Sequence, residues 1–104
     1  MAVTHSVVWS ERAKADLRQN IQYIRLRESV TRAAHVRNGI IEATNKAAIY
    51  PTKHRIEPIY NRHNIRFVVK WRYKIIFQIE GTTIRILAIF HTAQSPNKVN
   101  LQEP

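Results

Sequence analysis

The sequence has 104 residues, no cysteine, and 17 Lys and Arg residues against 7 Asp and Glu, which gives a formal net charge of +10 at pH 7. A chain of this length supports a single hydrophobic core, and the lack of cysteine excludes disulfide scaffolds, thiol chemistry and cysteine-ligated metals. No segment approaches the ~20 apolar residues of a membrane helix, and no apolar leader follows a basic start, so we expect a soluble cytoplasmic protein without membrane contacts.

The positive charge indicates what kind of partner the protein has. A charge of +10 on so small a body creates a positive potential over much of its surface. Nucleic acid, the ribosome and an acidic protein all fit that potential. The alternative is that the charge serves solubility alone.

The first half of the chain predicts a strand followed by two helices. Residues 4–9 are rich in β-branched residues and stop at Ser10, a favourable helix N-cap. Apolar residues then recur at spacings of three and four over residues 11–28, and again between Thr31, the expected second cap, and Pro51, a stop signal. The two stripes consist of Ala13, Leu17, Ile21 and Ile24, and of Val36, Ile40, Ala43 and Ala47. The connection between these helices is short, so they form an antiparallel hairpin.

The second half predicts three strands. Apolar residues alternate with polar ones over residues 65–71 and 73–79, and residues 80–83 contain a glycine suited to a tight turn. Residues 84–91 are apolar at nearly every position, which indicates a central strand.

These elements, in the order β-α-α-β-β-β, predict an α+β fold in which a helical hairpin packs on one face of a small, mostly antiparallel sheet. We expect one domain over residues 1–92 and an extended C-terminal tail over residues 93–104, where polar residues and prolines replace the periodic pattern.

The stretch from residue 53 to residue 74 has the highest density of positive charge. Only Glu57 opposes its seven basic residues, and histidine and aromatic residues are interleaved with them. This combination is typical of surfaces that bind phosphates by charge and bases by stacking. The alternative is a charged strand face that keeps the protein soluble. The seven residues are Lys53, Arg55, Arg62, Arg66, Lys70, Arg72 and Lys74.

The sequence contains few candidates for catalysis. No histidine pair has the spacing of metal ligands, and the two glycines exclude phosphate-loop and dinucleotide fingerprints, so we expect no metal and no cofactor. RNA cleavage by a ribose 2′-hydroxyl is the remaining chemistry, because it needs only proton transfer and cations. His91 could transfer the proton, with Arg66 and Lys74 stabilising the transition state. The alternative is that His91 simply ends its strand with a hydrogen bond.

Three segments together resemble the RelE/ParE superfamily of toxins from type II toxin–antitoxin modules. They are ADLRQNIQYI at residues 15–24, IRFVVKWRYKIIFQI at 65–79 and IRILAIFHTAQSPNK at 84–98. The resemblance covers about residues 4–98, and it implies the same fold as the periodicity does.

The resemblance leaves two branches open. RelE-like members are ribosome-dependent mRNA endoribonucleases, and Arg66, Tyr73–Lys74 and His91 match their pattern, so a partial site of Lys53, Arg66, Lys74 and His91 is one alternative. However, Gln94 stands where those members have an arginine, and no tyrosine follows Tyr73. ParE-like members lack the nuclease set and inhibit DNA gyrase, and the long hairpin favours this branch, in which the protein is not an enzyme. A non-toxic nucleic-acid-binding module is the third alternative.

The resemblance also implies an acidic antitoxin whose C-terminal segment folds on binding, which makes a toxin–antitoxin hetero-oligomer the expected form. An amphipathic antitoxin helix would cover apolar residues of the hairpin beside basic ones. The alternative is that these apolar residues belong to the core. The candidate antitoxin-binding residues are Leu17, Ile21, Val36 and Ile40.

Overall fold

The structure, a computed structural model, describes residues 4–92, so the predicted tail over residues 93–104 lies outside the described residues. The α+β fold and the order of its elements are confirmed, with an additional strand of two residues before the last three strands. The elements are β1 (Ser6–Trp9), α1 (Glu11–Arg27), α2 (Val30–Ala47), a short 3₁₀ helix (Pro51–Lys53), β2 (Arg55–Ile56), β3 (Ile65–Lys70), β4 (Tyr73–Glu80) and β5 (Thr83–His91).

The five strands form one sheet in the order β1-β5-β4-β3-β2. Strand β1 pairs with β5 in parallel, and all other neighbours are antiparallel. The apolar strand β5 lies between two partners, as its composition predicts. Helices α1 and α2 pack against each other and cover one face of the sheet.

Serine residues begin both helices. Ser10 accepts a hydrogen bond from the backbone N–H of Ala13 at 3.0 Å, as predicted. In α2 the cap is Ser29, whose hydroxyl accepts from the backbone N–H of Arg32 at 3.0 Å, and the prediction of Thr31 was wrong by two residues. Ser29 is the residue with extended backbone angles, whereas Thr31 already lies in the first helical turn. Neither helix in the described part of the chain is long and apolar enough to cross a lipid bilayer.

Of the two turns between the last three strands, the sequence predicted the one at Gly81 and not the one at Trp71. Gly81 adopts a φ of 58° between β4 and β5, as expected for a glycine in a tight turn. The predicted alternation through Trp71 was wrong, because β3 ends at Lys70 and Trp71 lies in the next turn with a φ of 54°.

The core lies between the hairpin and the sheet, and a β-bulge adjusts which residues enter it. Ile76 pairs with Ala88 and Phe77 pairs with Ile86, so Leu87 is an extra residue in β5. Ile86 therefore packs under the helices, whereas Leu87 packs on the opposite face of the sheet. That opposite face has its own smaller cluster, made of Ile65, Ile76 and Leu87 with Tyr60, Phe67 and Phe90.

Candidate functional site

The fold divides the seven predicted basic residues among three places. Arg66 and Lys74 are half-buried and engaged within the protein. Lys53, Arg55 and Arg62 lie on the segment that leads into β3, and Lys70 and Arg72 lie at its far end. Arg55 pairs with Phe67, which places it three residues, or about 10 Å, from Lys70 along the strand. The fold therefore engages Arg66 and Lys74 within the protein and leaves the other five basic residues on the segments around β3.

Arg66 holds the segment before β3 in place. Its Nε donates to the carbonyl of His63 at 2.9 Å, and its Nη1 donates to the carbonyls of Thr52 and His54 at 2.9 Å each. One guanidinium thus joins both ends of residues 52–63. Burial, with help from the charges of Lys53 and Arg66, lowers the pKa of the neighbouring His54.

Lys74 pairs with Glu57, an acid to which the sequence alone assigned no role. Its Nζ lies 2.7 Å from Oε2 of Glu57, which is fully buried, and 4.2 Å from the centre of the Phe67 ring. The other carboxylate oxygen of Glu57 accepts a bond from the backbone N–H of Ile59 at 3.3 Å. The sequence feature that could have indicated this ion pair is that Glu57 is the single acid among seven basic residues.

His91 lies away from Lys74. The register pairs Tyr73 with His91 and Lys74 with Phe90, so Lys74 and His91 project from opposite faces of the sheet. The rings of His91 and Tyr73 meet edge to face with centroids 5.3 Å apart. Arg66 pairs with Phe77, about 13 Å along β4 from Tyr73. The structure does not bring Arg66, Lys74 and His91 together at one site, and residues 4–92 contain no cluster of His, Asp and Glu suited to a metal ion.

The four predicted antitoxin-binding residues also divide. Val36 and Ile40 are 2% and 0% exposed, because their side of α2 faces the sheet, so they belong to the core. Leu17 and Ile21 are half-buried and line a shallow groove of about 270 Å³ on the outside of the hairpin. The groove is bordered by Arg18, Arg25 and Arg37. This cationic groove offers a partner both apolar contact and positive charge.

A larger cleft opens on the other side of the hairpin. It has a volume of about 560 Å³, and the apolar residues Ile24, Val36 and Tyr73 contribute to its lining. The remaining lining residues are Glu28, Arg32, Trp71, Arg72 and His91. Burial raises the pKa of Tyr73 above its ordinary value of 10.0. We call this the Trp71 cleft.

The fold is similar to the folds of two solved structures. It is similar to the structure titled "Chromosomal ParDE TA system from P. aeruginosa", with a TM-score of 0.70, 20% identity, and coverage of 85% of this chain and 96% of that one. It is also similar to the toxin–antitoxin complex RelBE2 from Mycobacterium tuberculosis, with a TM-score of 0.58, 18% identity, and coverage of 88% and 95%. The fold is thus ParE/RelE-like.

The sequence shows to which family the chain belongs. A model of the ParE toxin of the type II toxin–antitoxin system parDE matches residues 7–96. The chain therefore belongs to the ParE toxin family, which confirms the predicted resemblance. Among curated protein sequences, none is significantly similar to the chain.

Proposed function

We propose that the protein arrests growth by binding and inhibiting DNA gyrase, with no chemistry of its own, and that an acidic antitoxin neutralises it. The observation that carries this proposal is the placement of the residues considered for RNA cleavage. Lys74 is paired with buried Glu57, Arg66 binds three backbone carbonyls, and His91 projects from the face opposite to Lys74. An inhibitor that acts by binding needs exposed surface and no such assembled set.

The cationic groove supports an acidic antitoxin as partner. Leu17 and Ile21 provide apolar contact, and Arg18, Arg25 and Arg37 provide charge that complements acidic side chains on an amphipathic segment. The two structural relatives are described as the ParDE system and the RelBE2 toxin–antitoxin complex. We therefore assign antitoxin binding to this groove, with a toxin–antitoxin hetero-oligomer as the resting form.

The test measures gyrase and the ribosome side by side. Purified protein is added to a gyrase supercoiling reaction without ribosomes, and separately to a translation reaction with ribosomes and mRNA. We expect supercoiling to fall and mRNA to remain intact. In cells, labelled thymidine incorporation should fall before methionine incorporation within minutes of induction.

Arg66→Ala and His91→Ala serve as the control pair. If gyrase inhibition is the activity, any loss in Arg66→Ala should follow its loss of folded protein. Cleaved mRNA that disappears in both folded variants would instead establish the ribonuclease alternative. Normal growth after induction would exclude toxicity and leave a nucleic-acid-binding module.

A further inference from the structure

Trp71 has a strained backbone that its surroundings hold in place. A bulky residue rarely adopts a φ near 54°, and such residues persist where tertiary contacts determine their position. The indole lies directly on Gly39 of α2, where a Cβ would collide with its Cη2 and Cζ3 atoms. The ring of His35, one turn earlier in α2, lies 5.0 Å from the indole ring. The turn between β3 and β4 is thus fixed against α2.

The residues around this turn have the composition of a protein-binding hot spot. Tryptophan, tyrosine and arginine dominate the binding energy of protein interfaces, and the Trp71 cleft gathers Trp71, Tyr73, Arg32 and Arg72. Trp71 is 48% exposed, and its neighbours Lys70 and Arg72 add charge at the cleft margin. The one acid among the lining residues, Glu28, lies 3.8 Å from Arg32. Positive charge therefore exceeds negative charge at this surface.

We propose that the Trp71 cleft is the surface with which this protein contacts the enzyme that it inhibits, and that the occupant is an acidic protein segment carrying an apolar side chain. This inference rests on the proposed function and specifies its site. The apolar floor accepts the side chain, and Arg32 and Arg72 pair with neighbouring carboxylates. The concave shape and the apolar floor suit the apolar side chain of a protein segment better than the charged backbone of a nucleic acid.

The ring of Trp71 supports the same choice of occupant. Lys70 Nζ lies 4.7 Å from its centre, while Gly39 and His35 contact it from α2. An indole held in this way is a rigid anchor for side-chain contacts.

The Trp71 cleft is separate from the cationic groove assigned to the antitoxin. The two share no lining residue. Arg32 of the cleft and Arg37 of the groove are five positions apart on α2, which places them about 140° apart around the helix. An antitoxin in the groove and a target at the cleft would therefore use different sides of the hairpin.

Two matched double variants test this separation. Arg32→Gln with Arg72→Gln removes two exposed charges from the cleft, and Arg18→Gln with Arg37→Gln removes two from the groove. We expect the cleft variant to be about 10-fold or more less effective at arresting growth in induced cells, the size of a hot-spot loss. It should still co-purify with a co-expressed cognate antitoxin. The groove variant should keep growth arrest and lose co-purification with the antitoxin.

Gly39→Ala is a second variant that tests the assignment of the cleft. Alanine favours the helix, so α2 remains formed, but its methyl group displaces the indole. Growth arrest should fall while antitoxin capture persists. A single-tryptophan form made by Trp9→Phe should show a blue shift of Trp71 fluorescence when purified gyrase is added.

The outcomes separate the two proposals. Arrest by the wild-type protein without gyrase inhibition overturns the proposed target, and the cleft variants still test the cleft through growth. No arrest by the wild-type protein overturns both. Full arrest in the cleft variant and in Gly39→Ala overturns the cleft assignment, as does loss of antitoxin capture in the cleft variant. Loss of binding to bare duplex DNA in that variant alone, with gyrase binding unchanged, assigns the cleft to nucleic acid.

Discussion

A carboxylate oxygen of Asp16 in α1 accepts a hydrogen bond from the backbone N–H of Ile89 in β5, at 3.0 Å. Strand β1 ends at Trp9, opposite Ile86, so β5 continues beyond its neighbour and leaves an edge without a strand partner. The hydroxyl of Ser10 donates to the carbonyl of Leu87 at 3.1 Å on the same edge. Side chains from the start of α1 thus replace the missing strand.

Removing the acceptor at position 16 should destabilise the fold. In Asp16→Ala the N–H of Ile89 loses its partner in a half-buried position, and we expect a loss of about 1–3 kcal/mol in the free energy of unfolding. Asp16→Asn keeps an acceptor oxygen and should lose clearly less. Urea denaturation of both variants measures the difference. Equal losses would show that the hydrogen bond to Ile89 contributes little.

A comparison of the wild-type protein with Asp16→Asn gives a prediction for the pH dependence of stability. Burial raises the pKa of Asp16 above 3.8, against the lowering effects of the Ile89 N–H and of Arg12. The folded state therefore binds the proton more tightly than the unfolded state, and this contribution to stability is lost as pH rises through the folded pKa. Relative to Asp16→Asn, the wild-type protein should gain stability from neutral pH down to about pH 4. A relative loss over that range would contradict the assignment.

His54 should titrate in the opposite sense. Burial lowers its pKa below 6.5, and the charges of Lys53 and Arg66 lower it further. The folded state favours neutral His54, so its contribution is present above pH 6.5 and lost as pH falls through the folded pKa. Lys53→Met should raise the pKa of His54 in an NMR titration, because it removes one charge and leaves the Arg66 hydrogen bonds intact. Lys46→Met, on the exposed side of α2, is the control and should leave the titration unchanged.

The sequence predicted the elements that periodicity governs. Spacings of three and four located both helices, period two located β3 and β4, and a nearly continuous apolar run located β5. It did not predict the turn at Trp71, since the alternation reads through this residue and the positive φ depends on a contact with Gly39 far away in the chain. Strand β2 was missed because two residues carry no measurable period.

Residue types alone also could not decide the candidate site. Period two places Lys74 among exposed basic residues, yet its charge is engaged by Glu57 in an irregular segment. The stripe of α2 includes Val36 and Ile40 but does not show whether the sheet or a partner covers them. Both answers depend on which elements pack together, and that is a property of the tertiary structure.

The ion pair between Lys74 and Glu57 should stabilise the fold, and it gives a test that bears on catalysis as well. Lys74→Met leaves a buried carboxylate without its partner, and we expect a loss of about 3 kcal/mol in the free energy of unfolding. Adding Glu57→Gln removes that charge and should restore most of the loss. Denaturation of both single variants and the double variant measures the coupling. The folded double variant lacks the Lys74 cation, so it shows whether that cation acts in toxicity. We expect the double variant to retain growth arrest, because the charge of Lys74 serves the ion pair. Loss of arrest despite restored stability would give Lys74 a direct role in toxicity.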